Sequence, residues 1–334
     1  MNIAINGFGR IGRHTFKIGF GRKNFNIVAI NDLTDTKTLA HLLKYDTAYN
    51  AYDKEVTYDE KNIIVDGVKI PVFAEKDPSL LPWEKLKVDV AIESTGHFTK
   101  KDGAELHIKA GAKKVVISAP AKGEGVPTYV RGVNCGKVKD ETARVISNAS
   151  CTTNCIAPVM AVLEEEFGIE KAMMSTVHAY TGDQNLQDGP HKDLRRARAA
   201  AESIVPTTTG AAKAVAETIP AVKGIFDGIA LRVPVVTVSL SDITAVLKKK
   251  VTKEEINEAF VKASKTKRFE GVLDATTEEL VSADFIGNPY SSIVDLNLTN
   301  VVDGNLVKVV AWYDNEYGYA GRLVEMAEMF GAGK

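Results

Sequence analysis

Cys151 lies in the run Ser147-Asn-Ala-Ser-Cys-Thr-Thr-Asn-Cys155, whose residue types suit a nucleophile. The residues that follow, 156–163 and then three glutamates, have helical spacing and helix-forming side chains. Ser150 is a natural N-cap, which puts Cys151 in the first turn of that helix. There the backbone N–H groups and the positive end of the helix dipole favour a thiolate. The same cysteine also reads as a small buried hydrophobe on a core helix, and Cys155, one turn on, as an inert core thiol.

A nucleophile of this kind needs a base. The chain has six histidines. His178 closes a strand-like run, 171–177, and begins a polar segment, the arrangement expected of a site residue. Beside Cys151 it would take the thiol proton and shuttle it. His14, His41 and His107 fall in predicted helices and His97 in a turn, so each reads as structural or solvent-facing; His191 sits in a basic loop. Arg195, Arg196, Arg198 and Arg232 read either as a solvated basic face or as anion ligands. In the second reading Thr181 and the Thr207-Thr208-Thr209-Gly210 stretch add groups suited to phosphate oxygens. Ser150 and Thr152, at the helix start, add donors for the same anion. A cysteine nucleophile, a dinucleotide and phosphate ligands together indicate oxidation of a phosphorylated aldehyde.

The dinucleotide part of that reading rests on the N-terminus. Asn2-Ile-Ala-Ile-Asn6 is a buried strand that runs into Gly7-Phe8-Gly9-Arg10-Ile11-Gly12, which opens a helix. This is a dinucleotide fingerprint in its required strand–turn–helix context. Gly7 permits the tight turn, Gly9 lets backbone approach a pyrophosphate, and Gly12 allows close helix–sheet packing. Asp32 ends the next strand, 25–30, at the spacing suited to a ribose 2′-OH. Its charge repels a 2′-phosphate, so NAD is favoured over NADP. Alone, Asp32 reads equally as a solvated strand-end carboxylate. Further buried strands at 88–92 and 114–117 end in Glu93-Ser94-Thr95-Gly96 and Ser118-Ala119-Pro120, which line the cofactor cleft or simply turn the chain.

Positioning these groups takes two domains, which 334 residues accommodate. A net charge of −1 gives no global attraction to nucleic acid or to an acidic membrane. Three cysteines, without CxxC spacing, make neither a disulfide framework nor a zinc site. The N-terminus lacks signal-peptide character and no apolar run is long enough to span a bilayer, so a reduced, cytoplasmic enzyme is expected. The fold class is α/β: an N-terminal Rossmann-type dinucleotide-binding domain, then an α+β catalytic domain with a mostly antiparallel sheet. Hairpins are expected at Asp66-Gly67 and Asp303-Gly304, long strands at 229–240, 243–247 and 291–298, and an amphipathic helix over about 317–330.

Asn6-Gly-Phe-Gly-Arg-Ile-Gly-Arg13, Ser147–Asn154, the block around His178 and Trp312-Tyr-Asp-Asn-Glu316 resemble the signatures of the phosphorylating glyceraldehyde-3-phosphate dehydrogenases over nearly the whole chain. The resemblance implies Cys151 as nucleophile and His178 as its base. It implies NAD held by the backbone at Arg10-Ile11 with Asp32, Lys76, Ser118 and Asn315, the last near the nicotinamide amide. It gives Thr181 and Arg232 to the substrate's phosphate, and Ser150, Thr152, Thr209, Gly210 and Arg196 to the attacking inorganic phosphate. It divides the chain into an NAD-binding domain, 1–150, joined by the final helix, 316–334, and a catalytic domain, 151–315. It also implies a cytoplasmic glycolytic homotetramer, with neither nucleic acid nor membrane as an obligate partner, whose loop near 180–203 packs beside a neighbouring subunit's cofactor. The chain departs from the usual pattern at Lys76 for Arg, Tyr49-Asn50 for His-Gly, Tyr317 for Trp, and Ala320-Gly321 for Ser-Asn. The rivals are erythrose-4-phosphate dehydrogenase and a binding protein that uses the basic loop.

Overall fold

The computed structural model describes residues 1–333, with Asp140 described by its backbone alone. The described chain forms two compact units: 1–129 with 136–149 and 320–333, and 130–135 with 150–319.

The first unit is built on β1 (Asn2–Asn6), α1 (Arg10–Gly19), β2 (Asn26–Asn31), α2 (Thr36–Lys44), β3 (Val56–Tyr58), β4 (Asn62–Val65), β5 (Val68–Phe73), β6 (Val90–Glu93), α3 (Lys101–Lys109), β7 (Lys114–Ile117) and β8 (Val145–Ser147). The sheet order is β8-β7-β6-β1-β2-β5-β4-β3. Pairing is parallel from β8 to β5 and antiparallel beyond it. The apolar runs of β1, β6 and β7 are fully buried, as strands covered on both faces must be. Strand order reverses between β1 and β6, the switch point at which open parallel sheets take ligands beyond the strand C-termini. The hairpin between β4 and β5 turns on Asp66 (φ 46°) and Gly67 (φ 79°), the left-handed pair such a turn needs.

The second unit follows Ser150: α4 (Cys151–Phe167), β9 (Ile169–Ala179), β10 (Val205–Thr208), α5 (Ala211–Thr218), β11 (Phe226–Val233), β12 (Ser239–Leu247), α6 (Lys253–Ser264), β13 (Leu273–Thr276), β14 (Ser292–Asp295), β15 (Asn300–Val302) and β16 (Leu306–Tyr313), after which the chain enters α7 (Tyr317–Gly331). Its sheet runs β10-β11-β9-β12-β16-β14-β13, with β15 on β16. Only β9–β11 and β13–β14 pair parallel, so the sheet is mostly antiparallel. Helix α4 is buried continuously from Thr152 to Leu163, as a helix at the centre of a unit must be. From Ala320 onward α7 belongs to the first unit, where the Lys114 ammonium donates to the Phe330 carbonyl at 2.7 Å.

Two strand expectations are corrected. The run 229–240 is not one strand: Pro234 cannot donate to a ladder, and the chain turns there, Val235 N–H bonding the Val233 carbonyl at 2.7 Å. Strand β12 then absorbs both 239–240 and the expected 243–247. The strand at 291–298 stops at Asp295, whose side chain accepts from Asn297 N–H and caps a short 3-10 turn. Helix α5 is a third difference. Its N-cap is Gly210, with no side-chain capping bond, so the sequence carries no start signal for it.

Candidate active site

Ser150 sits in extended backbone (φ −103°, ψ 168°) and its hydroxyl oxygen accepts from Thr153 N–H at 3.0 Å, so α4 begins at Cys151. His178 is the penultimate residue of β9, and its Nε2 lies 3.5 Å from the Cys151 sulfur. Its Nδ1 is 2.7 Å from the Ala179 carbonyl oxygen. A carbonyl only accepts, so Nδ1 carries the proton and Nε2 offers its lone pair to the thiol. Burial, followed by the Arg232 guanidinium, pushes the His178 pKa down to about 4. Burial also pushes the Cys151 thiol up, against Arg232, the Thr152 hydroxyl and the helix N–H groups. With Nδ1 bonded to the Ala179 carbonyl, Nε2 stands ready to take the thiol proton. Burial and the helix start thus act on the thiol in opposite directions. Cys155 is fully buried near the Ser292 hydroxyl and the Ala311 carbonyl, its thiol pushed up to about 12.

The parallel register of β9 on β11 sets His178 opposite Arg232. Arg232 donates to the Thr181 hydroxyl, which bonds the Asp183 carboxylate. Arg196 also donates to Asp183, and through Nε to the Thr207 hydroxyl at 3.1 Å. Against a burial that would raise it, Thr181 and the two guanidiniums hold Asp183 below the usual carboxylate range. Thr181, Arg196 and Arg232 thus converge on one anion. Thr209 and Gly210 lie at the start of α5, with the Thr209 hydroxyl accepting from Ala211 N–H at 3.2 Å. Ser150 and Thr152 bond elsewhere: Thr152 reaches the Tyr313 hydroxyl at 3.0 Å, and Tyr313 reaches Thr176 at 2.9 Å. Asn315 is buried, and its carbonyl oxygen accepts from the Ser239 hydroxyl at 2.9 Å. Asp183, Tyr313 and Gln184, whose side-chain oxygen accepts from Thr181 N–H at 3.2 Å, were not singled out from the sequence. Only the turn at 180–184 and the strand pairing bring them here.

In the first unit, Gly7 (φ 91°) makes the turn after β1, and a Cβ on Gly12 would run into the Gly7 carbonyl oxygen. Nothing lies within 4 Å of a Cβ on Gly9, so that face stands open. A cavity of about 510 Å³ is lined by residues that include Gly7, Gly9, Asp32, Lys76 and Thr95. Asp32 accepts from Phe8 N–H at 2.7 Å and from Thr34 N–H at 3.0 Å, fixing the glycine turn with lone pairs to spare. The Arg10 side chain pairs with Asp46 at 2.6 Å and lies over the Tyr49 ring, so Tyr49 is absorbed as a stacking partner. Ile11 is the second residue of α1 and half-buried. Ser118 follows β7, its N–H bonded to the Glu93 carbonyl at 2.9 Å; it is not among the cavity-lining residues.

Residues 1–101 match the family model described as the glyceraldehyde 3-phosphate dehydrogenase NAD binding domain, and 150–315 the model of that family's C-terminal domain. A glyceraldehyde-3-phosphate dehydrogenase of Geobacillus stearothermophilus is 54% identical over 327 residues, 98% of this chain and 97% of the relative. Enzymes of the same name from Streptomyces coelicolor and Borreliella burgdorferi are each 54% identical, over 332 residues (99% of this chain, 98% of the relative) and 334 residues (98% and 99%). Among the described residues no helix is long and apolar enough to cross a membrane.

Proposed function

The chain belongs to the glyceraldehyde-3-phosphate dehydrogenase family, and we propose that it oxidises D-glyceraldehyde 3-phosphate with NAD and inorganic phosphate to 1,3-bisphosphoglycerate. The observation that carries the chemistry is the 3.5 Å approach of His178 Nε2 to the Cys151 sulfur, with Nδ1 tied to a carbonyl. That tautomer is the one able to accept the thiol proton. The relatives' names favour this substrate over erythrose 4-phosphate.

Cys151 passes its proton to His178 as the sulfur adds to the aldehyde carbon, and His178 returns that proton to the carbonyl oxygen, giving a hemithioacetal. Arg232 and Thr181 hold the substrate's phosphate, a role supported by their convergence on the Asp183 carboxylate. His178 takes the hydroxyl proton as the hemithioacetal is oxidised to a thioester. NAD supplies the hydride acceptor when bound. Gly7, Gly9, Arg10, Ile11, Gly12, Asp32, Lys76 and Ser118 are the residues that would hold it, with Asn315. The open face at Gly9 and the unused lone pairs of Asp32 fit a pyrophosphate and a ribose. The Ser239 hydroxyl donates to the Asn315 carbonyl oxygen and so orients the amide. Inorganic phosphate then attacks the thioester; Arg196, Thr209 and Gly210 are the residues that would hold it, with Ser150 and Thr152, whose hydroxyls must turn from Thr153 and Tyr313 to meet it. The acyl phosphate leaves and the Cys151 thiolate returns.

The same reading makes the protein a homotetramer working in the cytoplasm, where a free nucleophilic thiol stays reduced. Leu186, Leu194 and Ile204, each more than two-thirds exposed, supply apolar contact surface on and beside the 180–203 loop.

Phosphate dependence tests the mechanism. With aldehyde and NAD but no phosphate, NADH should appear as a single burst of at most one per site, and added phosphate or arsenate should restore turnover. Arg196→Leu should raise the phosphate requirement and leave the burst nearly intact. Arg232→Ala should damage the burst itself. Steady NADH production without phosphate, at the rate seen with it, would remove the phosphorylating step.

A further inference from the structure

Beneath the cavity of the first unit lies a polar chain in which Trp83, His107 and Glu93 are all essentially inaccessible. The Trp83 indole N–H donates to His107 Nδ1 at 3.0 Å. An indole N–H can only donate, so Nδ1 is the acceptor and the ring proton sits on Nε2. That Nε2–H donates to Glu93 Oε2 at 3.0 Å. The Asn6 amide nitrogen donates to the same oxygen at 2.6 Å. On Oε1, Glu93 accepts from Thr95 N–H at 2.9 Å and from the Thr95 hydroxyl. Four donors thus converge on one carboxylate. His107, read from the sequence as structural or solvent-facing, is one of them.

Strand register organises the rest. Asn6 pairs with Glu93 on β6 and with Asn31 on β2, so three side chains stand in one row at the strand C-termini. With its nitrogen committed to Glu93, the Asn6 amide must turn its oxygen to Asn31, which donates to it at 2.6 Å. Asn31 in turn holds the Glu75 backbone, accepting from Glu75 N–H and donating to Glu75 C=O, each at 2.9 Å. Asn6, Asn31, Glu75 and Thr95 line the cavity, whereas Glu93 lies behind them. Among the described residues no lysine or arginine pairs with Glu93. A buried carboxylate balanced by neutral donors alone is a costly way to fill a core, where an apolar side chain would serve better. What the carboxylate does that an apolar group could not is fix the direction of every hydrogen bond in the row.

We propose that Glu93 is a positioning residue for the dinucleotide. Locked from behind by His107 and Trp83, it sets the Asn6 amide and the Thr95 hydroxyl at the cavity wall and, through Asn6, the Asn31–Glu75 contact. Because the Thr95 proton is committed to Glu93 and one lone pair accepts from His97 N–H at 3.0 Å, the hydroxyl offers a ligand its second lone pair, suited to a ribose hydroxyl or an adenine amine. The proposal rests on the reading that NAD occupies this cavity.

The test uses the full chain. Glu93→Gln keeps the shape but places an amide N–H2 or a lone carbonyl against donors on both sides. Its Kd and KM for NAD should rise about tenfold, the effect of one charge-assisted hydrogen bond. At saturating NAD its kcat should stay within about twofold, since no interaction with the reacting atoms is lost. KM for the aldehyde should not move. Thr95→Val, at the cavity wall, removes the hydroxyl that Glu93 orients, with the bond it accepts from His97 N–H, and should weaken NAD several-fold. The double variant should be no weaker than Glu93→Gln alone, because both changes act through one contact. NAD affinity unchanged in either single variant, or kcat and both KM values worsening together, overturns the role of Glu93. Should Glu93→Gln fail to fold, Thr95→Val binding NAD like the wild type overturns it by itself. Wild-type chain that fails to bind NAD would instead overturn the reading of the cavity.

Discussion

His178 is held neutral by its surroundings, and that has a measurable cost at low pH. Its ordinary value of 6.5 falls to about 4 through burial and the Arg232 charge. Between these values the unfolded chain binds a proton that the folded chain refuses, so stability rises with pH across that window. The contribution is fully present above about 6.5, is lost as pH falls towards 4, and amounts to ~3 kcal/mol by the usual conversion. His178→Asn should flatten this part of the stability curve in urea unfolding at pH 4.5 and pH 7, while lowering the hydride-transfer rate by about 10²–10⁴-fold. Equal acid sensitivity in both proteins would show that His178 is not the group resisting protonation. Cys155 shares the helix but has no such base, so Cys155→Ser should keep most of the activity that Cys151→Ser loses.

At the scale of elements, the two glycines after β1 have separable duties. A Cβ at Gly12 meets the Gly7 carbonyl oxygen, whereas one at Gly9 meets nothing within 4 Å and the backbone there has an ordinary negative φ of −70°. Gly9→Ala should therefore fold with wild-type stability yet bind NAD at least about tenfold more weakly, since the methyl group occupies the space a pyrophosphate needs. Gly12→Ala should lose stability as well, because α1 must move off the turn. Thermal melts with NAD titrations separate the two. A Gly9→Ala protein with full NAD affinity would place the pyrophosphate elsewhere.

At the scale of the molecule, the 180–203 segment carries both anion ligands and uncovered apolar side chains. Leu186 and Leu194 are 77% and 80% exposed. In the proposed tetramer they are covered by a neighbouring subunit. Leu194→Asp should then shift the mass seen by light scattering towards smaller species and raise KM for NAD. A wild-type chain that runs as a monomer would remove this reading.

Local signals determined much of this protein. The glycine turn, the Ser150 cap ahead of Cys151 and the Asp66-Gly67 and Asp303-Gly304 hairpins depend on residues within a few positions of one another. Their backbone requirements are therefore visible in the chain itself. The pairing of Cys151 with His178 was legible only as a possibility, from residue type and position. The tertiary structure decided what depends on pairing between distant strands. The β9–β11 register put Arg232 opposite His178, and the row across β6, β1 and β2 joined Glu93, Asn6 and Asn31. Burial decided the rest. A cysteine at a helix start reads from sequence as favouring a thiolate, but desolvation, a property of everything packed around it, pushes the thiol up and its histidine down.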